Sequence, residues 1–182
     1  MKIYLVTKNP GKLLAARSIF NKISITLLQT KKEYQEIQAE NSLEIARHTA
    51  IQAAKELNAP AIREDHSLYL NALGVPGPYM SYFEKKITAR NILKILKNFK
   101  DRRGYFEVAT VYAEPNGKTK EYSFKVYFSI ALKERGKLQT GWPRIIILEG
   151  EKRTLAEYPE TERLGIWNKN YLRIARNLVR AH

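Results

Sequence analysis

A buried strand, a tight turn, a helix and a second strand follow one another without interruption at the start of this chain, and that order commits it to an α/β fold. Lys2 to Thr7 is a short apolar, β-branched stretch, and Lys8-Asn9-Pro10-Gly11 reads as a turn from its Asn, Pro and Gly content. From Lys12 to about Asn21, Leu13, Ala16 and Phe20 recur at helical spacing, and Ile23 to Leu28 then alternates as a second strand.

The rest of the chain keeps mixing the two periods. Asn41 with Glu44 three residues on has the form of a capping box, opening a helix whose inner face is Leu43, Ala46, Ala50, Ala53 and Leu57 and which Asn58 and Pro60 end. Ala61-Ile62 makes a short strand leading into the polar run Arg63 to Ser67, and Tyr69 to Leu73 continues extended before the loop Gly74 to Tyr79. Thr88 begins a periodic helix bearing Ile92, Leu93, Ile95, Leu96 and Phe99, with lysines on its other face. Phe106, Val108 and Thr110 alternate on one long strand and Phe124, Val126, Phe128, Ile130 and Leu132 on the next, with Asn116-Gly117 a strong hairpin signal between them. Arg144 to Leu148 is a further apolar strand, and Trp167 to Arg180 a basic helix with Tyr171, Leu172, Ala175 and Val179 inward. The expected architecture is an elongated mixed sheet flanked by helices. At 182 residues and 44% hydrophobic, the chain should form one domain, residues 1–182.

Composition narrows the chemistry. No apolar run reaches the ~18 residues of a membrane span, and the chain starts without a signal-peptide core, so a cytoplasmic protein with no membrane partner is expected. Cysteine is absent, and His48, His66 and His182 lack metal-site spacing, so any metal must be held by oxygen. A formal net charge of +14 points to an anionic partner. Much of that excess sits between Lys85 and Arg103 and between Lys169 and Arg180, where a solvated helix face is the simpler reading.

Three segments could carry chemistry. Thr7-Lys8-Asn9-Pro10-Gly11-Lys12 ends a strand at a helix N-terminus, where free backbone N–H groups and the helix dipole attract phosphate and Lys12 adds a charge, although such a segment can also be a plain turn. Glu44, Glu64 and Asp65 form a carboxylate set suited to a hard cation such as Mg²⁺, or else a helix cap and a solvated strand end. Gly74 to Tyr79 could shape a pocket or merely turn the chain, and Trp142 after Gly141 could stack a base or lie in the core.

In their order along the chain these pieces resemble the inosine triphosphate pyrophosphatase family, enzymes that remove non-standard purine nucleoside triphosphates. Thr7 to Lys12 looks like the family's Thr-x-Asn-x-x-Lys opening; Glu36-Ile37-Gln38 and Leu43-Glu44-Ile45-Ala46 resemble the segments that follow. Glu64-Asp65-His66-Ser67-Leu68 sits at the acidic pair, and Asn71 to Tyr79 resembles the family's Asp-Ala-Leu-Gly-Gly-x-Pro-Gly-x-Tyr. Arg103-Gly104-Tyr105-Phe106, Arg135-Gly136 and Gly141-Trp142 fall in the expected places as well. The chain departs from the pattern at Thr49, His66, Tyr82 and Pro143, and the family's late Ser-His-Arg aligns loosely with Trp167-Asn168-Lys169.

The resemblance implies a two-lobed fold around a central nucleotide cleft, usually dimeric, that hydrolyses a nucleoside triphosphate to the monophosphate and pyrophosphate. By the same resemblance Thr7, Asn9 and Lys12 hold the triphosphate, Glu44 and Asp65 carry Mg²⁺ or Mn²⁺ and Trp142 stacks on the purine, with Asp65, Glu44 and Lys12 the catalytic set and Lys169 a further substrate contact. Two other functions compete: a nucleotide-binding protein on the same scaffold without turnover, and a nucleic-acid binder using the basic helices.

Overall fold

The computed structural model describes residues 1–35, 37–137 and 141–180; Glu36 of the family-like segment and His182 lie outside them. Its strands are β1 (Lys2–Val6), β2 (Thr26–Thr30), β3 (Ala61–Leu70), β4 (Pro76–Gly77), β5 (Arg103–Ala113), β6 (Thr119–Ile130) and β7 (Ile146–Leu148). Its helices are α1 (Pro10–Phe20), α2 (Ser42–Leu57), α3 (Met80–Lys86), α4 (Ala89–Ile95), α5 (Glu160–Trp167) and α6 (Lys169–Arg180). The strands form one mixed sheet in the order β2-β1-β3-β5-β6-β7, with β4 beside β3. Among the described residues no helix is long and apolar enough to cross a membrane.

The chain divides into two compact units, and β3, β5 and β6 contribute a segment to each. Unit 1 holds Met1–Asp65, Val108–Phe124 and Leu164–His182; unit 2 holds His66–Glu107 and Lys125–Arg163. In unit 1, β1 pairs parallel with β2, Lys2 opposite Thr26, and with β3, Tyr4 opposite Ala61. Helix crossovers make such pairing possible. One sheet face packs Ile3, Leu5 and Ile62 against Phe20 of α1 and Tyr171, Ile174 and Leu178 of α6. The other packs Val6, Ala61 and Val111 against Ala46, Ala50 and Ala53 of α2, whose small side chains let the helix lie close to the strands.

Local chemistry explains the helix ends. Asn41 caps α2 by accepting from the Glu44 N–H at 3.0 Å, and Asn58 closes it in the left-handed region at φ 46°, a conformation Asn tolerates better than most residues. On the same helix, Arg47 donates from Nε and Nη2 to the two carboxylate oxygens of Glu121 on β6, at 2.6 and 2.8 Å. The Arg47 hydrogen bonds hold the Glu121 carboxyl below its ordinary range. A depressed folded pKa stabilises above the unfolded value and is lost as pH falls through the folded one. Glu121→Gln should therefore cost about 1 kcal/mol or less at pH 7, both side chains being partly solvated, and the penalty should shrink as pH falls below the ordinary carboxylate range, as read by urea unfolding.

Several elements differ from the sequence expectation. β3 is one ten-residue strand that carries the polar run Arg63 to Ser67 within it instead of at the end of a short strand, and it stops at Leu70 instead of running on to Leu73. Its polar residues find partners inside the fold; Arg63, for example, donates to the Val6 carbonyl at 3.3 Å. β2 begins at Thr26, because residues 21–24 form a turn after α1. The helix from Thr88 ends at Ile95 and continues as a 3-10 turn over Leu96–Asn98, which leaves Ile95 and Phe99 exposed. Leu132 lies past the end of β6 and is 85% exposed, and on α6 it is Ile174 and Leu178, not Val179, that face inward.

Candidate active site

The N-terminus of α1 is where the sequence places phosphate. Asn9 stands at the cap with extended backbone, and its Oδ1 accepts from the N–H groups of Gly11 at 2.8 Å and Lys12 at 3.3 Å. Thr7 Oγ1 accepts from the Asn9 N–H at 3.1 Å, and the Leu13 N–H donates to the Asn9 carbonyl. The expected free donors are thus engaged by the loop itself, since Ser-, Thr- and Asn-type side chains compete for helix-terminal N–H groups. An anion reaches those groups by displacing the Asn9 carboxamide. The charge of Lys12 remains, and its half-buried ammonium donates to the backbone carbonyl of Glu64 at 2.9 Å.

That hydrogen bond ties α1 to the acidic middle of β3, where side chains alternate across the sheet. Asp65 follows the parity of Ala61, which packs on α2, whereas Glu64 follows Ile62 toward α1 and α6. The three-carboxylate set is therefore two groups. Glu64 is 1% exposed, and Thr110 Oγ1 donates to its Oε2 at 3.5 Å. Asp65 is half-buried on the α2 side. Glu44, exposed in the first turn of α2, accepts from the Asn41 side chain, Nδ2 to Oε1 at 2.9 Å, in place of the Asn41 backbone N–H that a capping box uses. Among the described residues no group of three or more His, Cys, Asp or Glu is placed to hold a metal. Glu44 and Asp65 supply oxygen donors that suit a hard cation which keeps waters and phosphates for the rest of its shell.

The residues behind Glu64 were not singled out as site residues by sequence. Asn170 and Tyr171 open α6 and are fully buried. Asn170 Nδ2 donates to the Val108 carbonyl at 3.0 Å and to Thr110 Oγ1 at 3.1 Å. Burial first, and then the adjacent Glu64 carboxylate, push the Tyr171 phenol well above its ordinary range. Its hydroxyl and Asn170 Oδ1 have no hydrogen-bond partner among the described residues, a cost of about 1–3 kcal/mol for a buried polar group. An asparagine at the start of a helix carries no sequence signal of such burial, because the partners of Asn170 lie 48 to 62 positions earlier.

The other expected contacts are placed as follows. In unit 1, the exposed Lys169 ammonium lies 5.3 Å from the ring centre of Phe124, and Thr49 is buried in the α2 face, so that position is core here. In unit 2, Trp142 is 1% exposed; its Nε1 donates to the Ile87 carbonyl at 2.7 Å and its backbone N–H to Glu84 at 3.0 Å. A ring so enclosed offers no face to a base in this state. The Gly74–Tyr79 loop folds back as β4, Gly77 at φ 62° opposite Leu68. A separate unit 2 pocket of ≈ 750 Å³ is lined in part by Glu84, Lys85, Arg90 and the Glu134–Arg144 ion pair, with Pro143 beside them; Tyr82 is exposed.

An α/β protein in which a capped helix N-terminus meets the acidic centre of a sheet strand is the class these features define. A sequence model of the Ham1 family matches residues 3–169. The dITP/XTP pyrophosphatase of Thermococcus kodakarensis is 35% identical over 164 residues, 90% of this chain and 88% of that protein. That of Ignicoccus hospitalis is 31% identical over 181 residues, 97% of this chain and 96% of that one. The solved HAM1 protein of Coxiella burnetii shares the fold with a TM-score of 0.84 at 24% identity, covering 99% of both chains. The Staphylococcus aureus Ham1 protein gives 0.77 at 25% identity, covering 100% of this chain and 97% of that one. The chain belongs to the Ham1 family.

Proposed function

We propose that the chain hydrolyses a nucleoside triphosphate to the monophosphate and pyrophosphate, with a non-standard purine nucleotide as substrate. The observation that carries this reading is the 2.9 Å hydrogen bond from Lys12 to the Glu64 carbonyl, which sets the cation and dipole of α1 beside the middle of β3, where Asp65 follows. The relatives named as dITP/XTP pyrophosphatases support it over nearly the whole length. Thr7, Asn9 and Lys12 bind the phosphates, and Lys12 balances charge that builds on them as the bridging bond breaks. Glu44 and Asp65 hold Mg²⁺ or Mn²⁺, which when bound would neutralise phosphate charge and acidify a water. Asp65 orients the attacking water and takes up its proton.

Lys12→Met keeps the aliphatic stem and removes the charge. It should lower kcat/KM for pyrophosphate release by about tenfold or more, as loss of a charge-assisted contact does. Release from dITP, XTP, ITP and the standard nucleotides with Mg²⁺ tests the reading itself. Thermal stabilisation by nucleotide without product would favour the binding protein instead. Pairing of two copies is a further part of the proposal, and a monomeric mass by light scattering would remove it.

A further inference from the structure

Helix α6 carries charge of one sign. Its exposed residues Lys169, Arg173, Arg176 and Arg180 recur at steps of four, three and four, so they fall in a single stripe about 16 Å long. The helix holds no acidic residue, and among the described residues no carboxylate pairs with any of the four, whereas Arg47, Arg103, Arg144 and Arg153 each have one elsewhere. Arg173 donates to the Ser123 carbonyl at 3.2 Å and Lys169 lies over the Phe124 ring, contacts that hold the side chains without neutralising them. Like charges three or four residues apart repel one another and weaken a helix. Arg180 in the last turn suits the helix dipole, but Lys169 in the first opposes it. The stripe is thus a cost to the helix that an anion from outside would offset. Beside it on the same sheet face, α1 adds Lys12 and Arg17, again with no acid, while Glu44 and Asp65 lie toward the other face with α2.

We propose that α6 is a docking surface for duplex nucleic acid, its cations set against backbone phosphates without reading sequence. The apolar side of the helix, Tyr171, Ile174, Ala175 and Leu178, is buried in the core, so no apolar face is left to sink into a lipid surface. Phe20 and Tyr171 are the aromatic residues of α1 and α6, and both are buried, which leaves unpaired bases no ring on these helices to stack on. What the stripe offers is backbone contact along about half a turn of a duplex. This surface stands apart from the hydrolase reading, which uses none of Arg173, Arg176 and Arg180.

The test is fluorescence anisotropy of a short labelled DNA duplex titrated with the full chain over a series of NaCl concentrations. Four phosphate contacts give an expected log–log salt slope of about −3.6, roughly 0.9 for each. Neutralising three of them in Arg173→Gln/Arg176→Gln/Arg180→Gln should remove about 2.7 of that slope and lower affinity at least about tenfold at low salt, with pyrophosphate release unchanged. The control is Lys94→Gln/Lys97→Gln/Lys100→Gln, which takes three exposed charges from unit 2 and should leave slope and affinity near those of the parent. Equal weakening by both triple variants would reduce the binding to net charge and overturn the proposal. So would no binding by the parent, a single strand bound as tightly as the duplex, or binding to phosphatidylserine vesicles in place of DNA. Should the α6 triple variant not fold, Arg176→Gln/Arg180→Gln replaces it, with about 1.8 of the slope lost.

Discussion

Asp65→Asn should reduce pyrophosphate release from a triphosphate by about 10³-fold, several kcal/mol of transition-state stabilisation, while leaving Tm within about 2 °C. The substitution is nearly isosteric, and it removes the charge that a cation or an attacking water's proton requires. Stability should hold because Asp65, in the middle of β3, is only half-buried and does not belong to either apolar cluster of unit 1. Release by the variant equal to that of the parent would withdraw Asp65 from the mechanism. A matching fall in both Tm and activity would assign it a structural role instead.

Trp142→Ala is the second large effect, and it lands on stability. A base-stacking tryptophan would lose substrate affinity on truncation with little change in Tm. This one is 1% exposed and hydrogen-bonded from Nε1 to the Ile87 carbonyl, so its removal opens a cavity and orphans an acceptor. Truncations of this kind cost about 3–5 kcal/mol. For a chain of this length that is roughly 10 °C in Tm. Trp142→Phe should recover part of the loss, the remainder being the hydrogen bond to Ile87. A Tm unmoved by Trp142→Ala, with KM for the nucleotide sharply raised, would restore the stacking role.

The elements that sequence found without error of kind are those whose local chemistry is complete. Asn9-Pro10 at the start of α1, Asn41 with Glu44 at α2 and Asn116-Gly117 between β5 and β6 each satisfy backbone groups within a few residues. The polar centre of β3 does not announce a continuous strand, because Arg63 and Glu64 are stabilised by groups far along the chain, the Val6 carbonyl and the Thr110 hydroxyl. α3, a seven-residue helix without a buried side chain or a side-chain cap, has too little period to announce itself. The same holds for the site: the acidic pair was visible as residues, and its division between two sheet faces was not.

The sequence by itself determined the α/β order, the β-turn-α-β opening and the Asn41 cap of α2, and by resemblance it named Thr7, Asn9, Lys12, Glu44 and Asp65 as candidates. Tertiary structure decided which carboxylate is buried, that the α1 donors are already engaged, that Trp142 is core, and that Thr110 donates to Glu64. Local hydrogen bonds and hydrophobic period act over a few residues, so they can be read in order along the chain. Burial and charge act through space, and only when β3, β5 and α6 are packed together does a carboxylate acquire the neighbours that set its role.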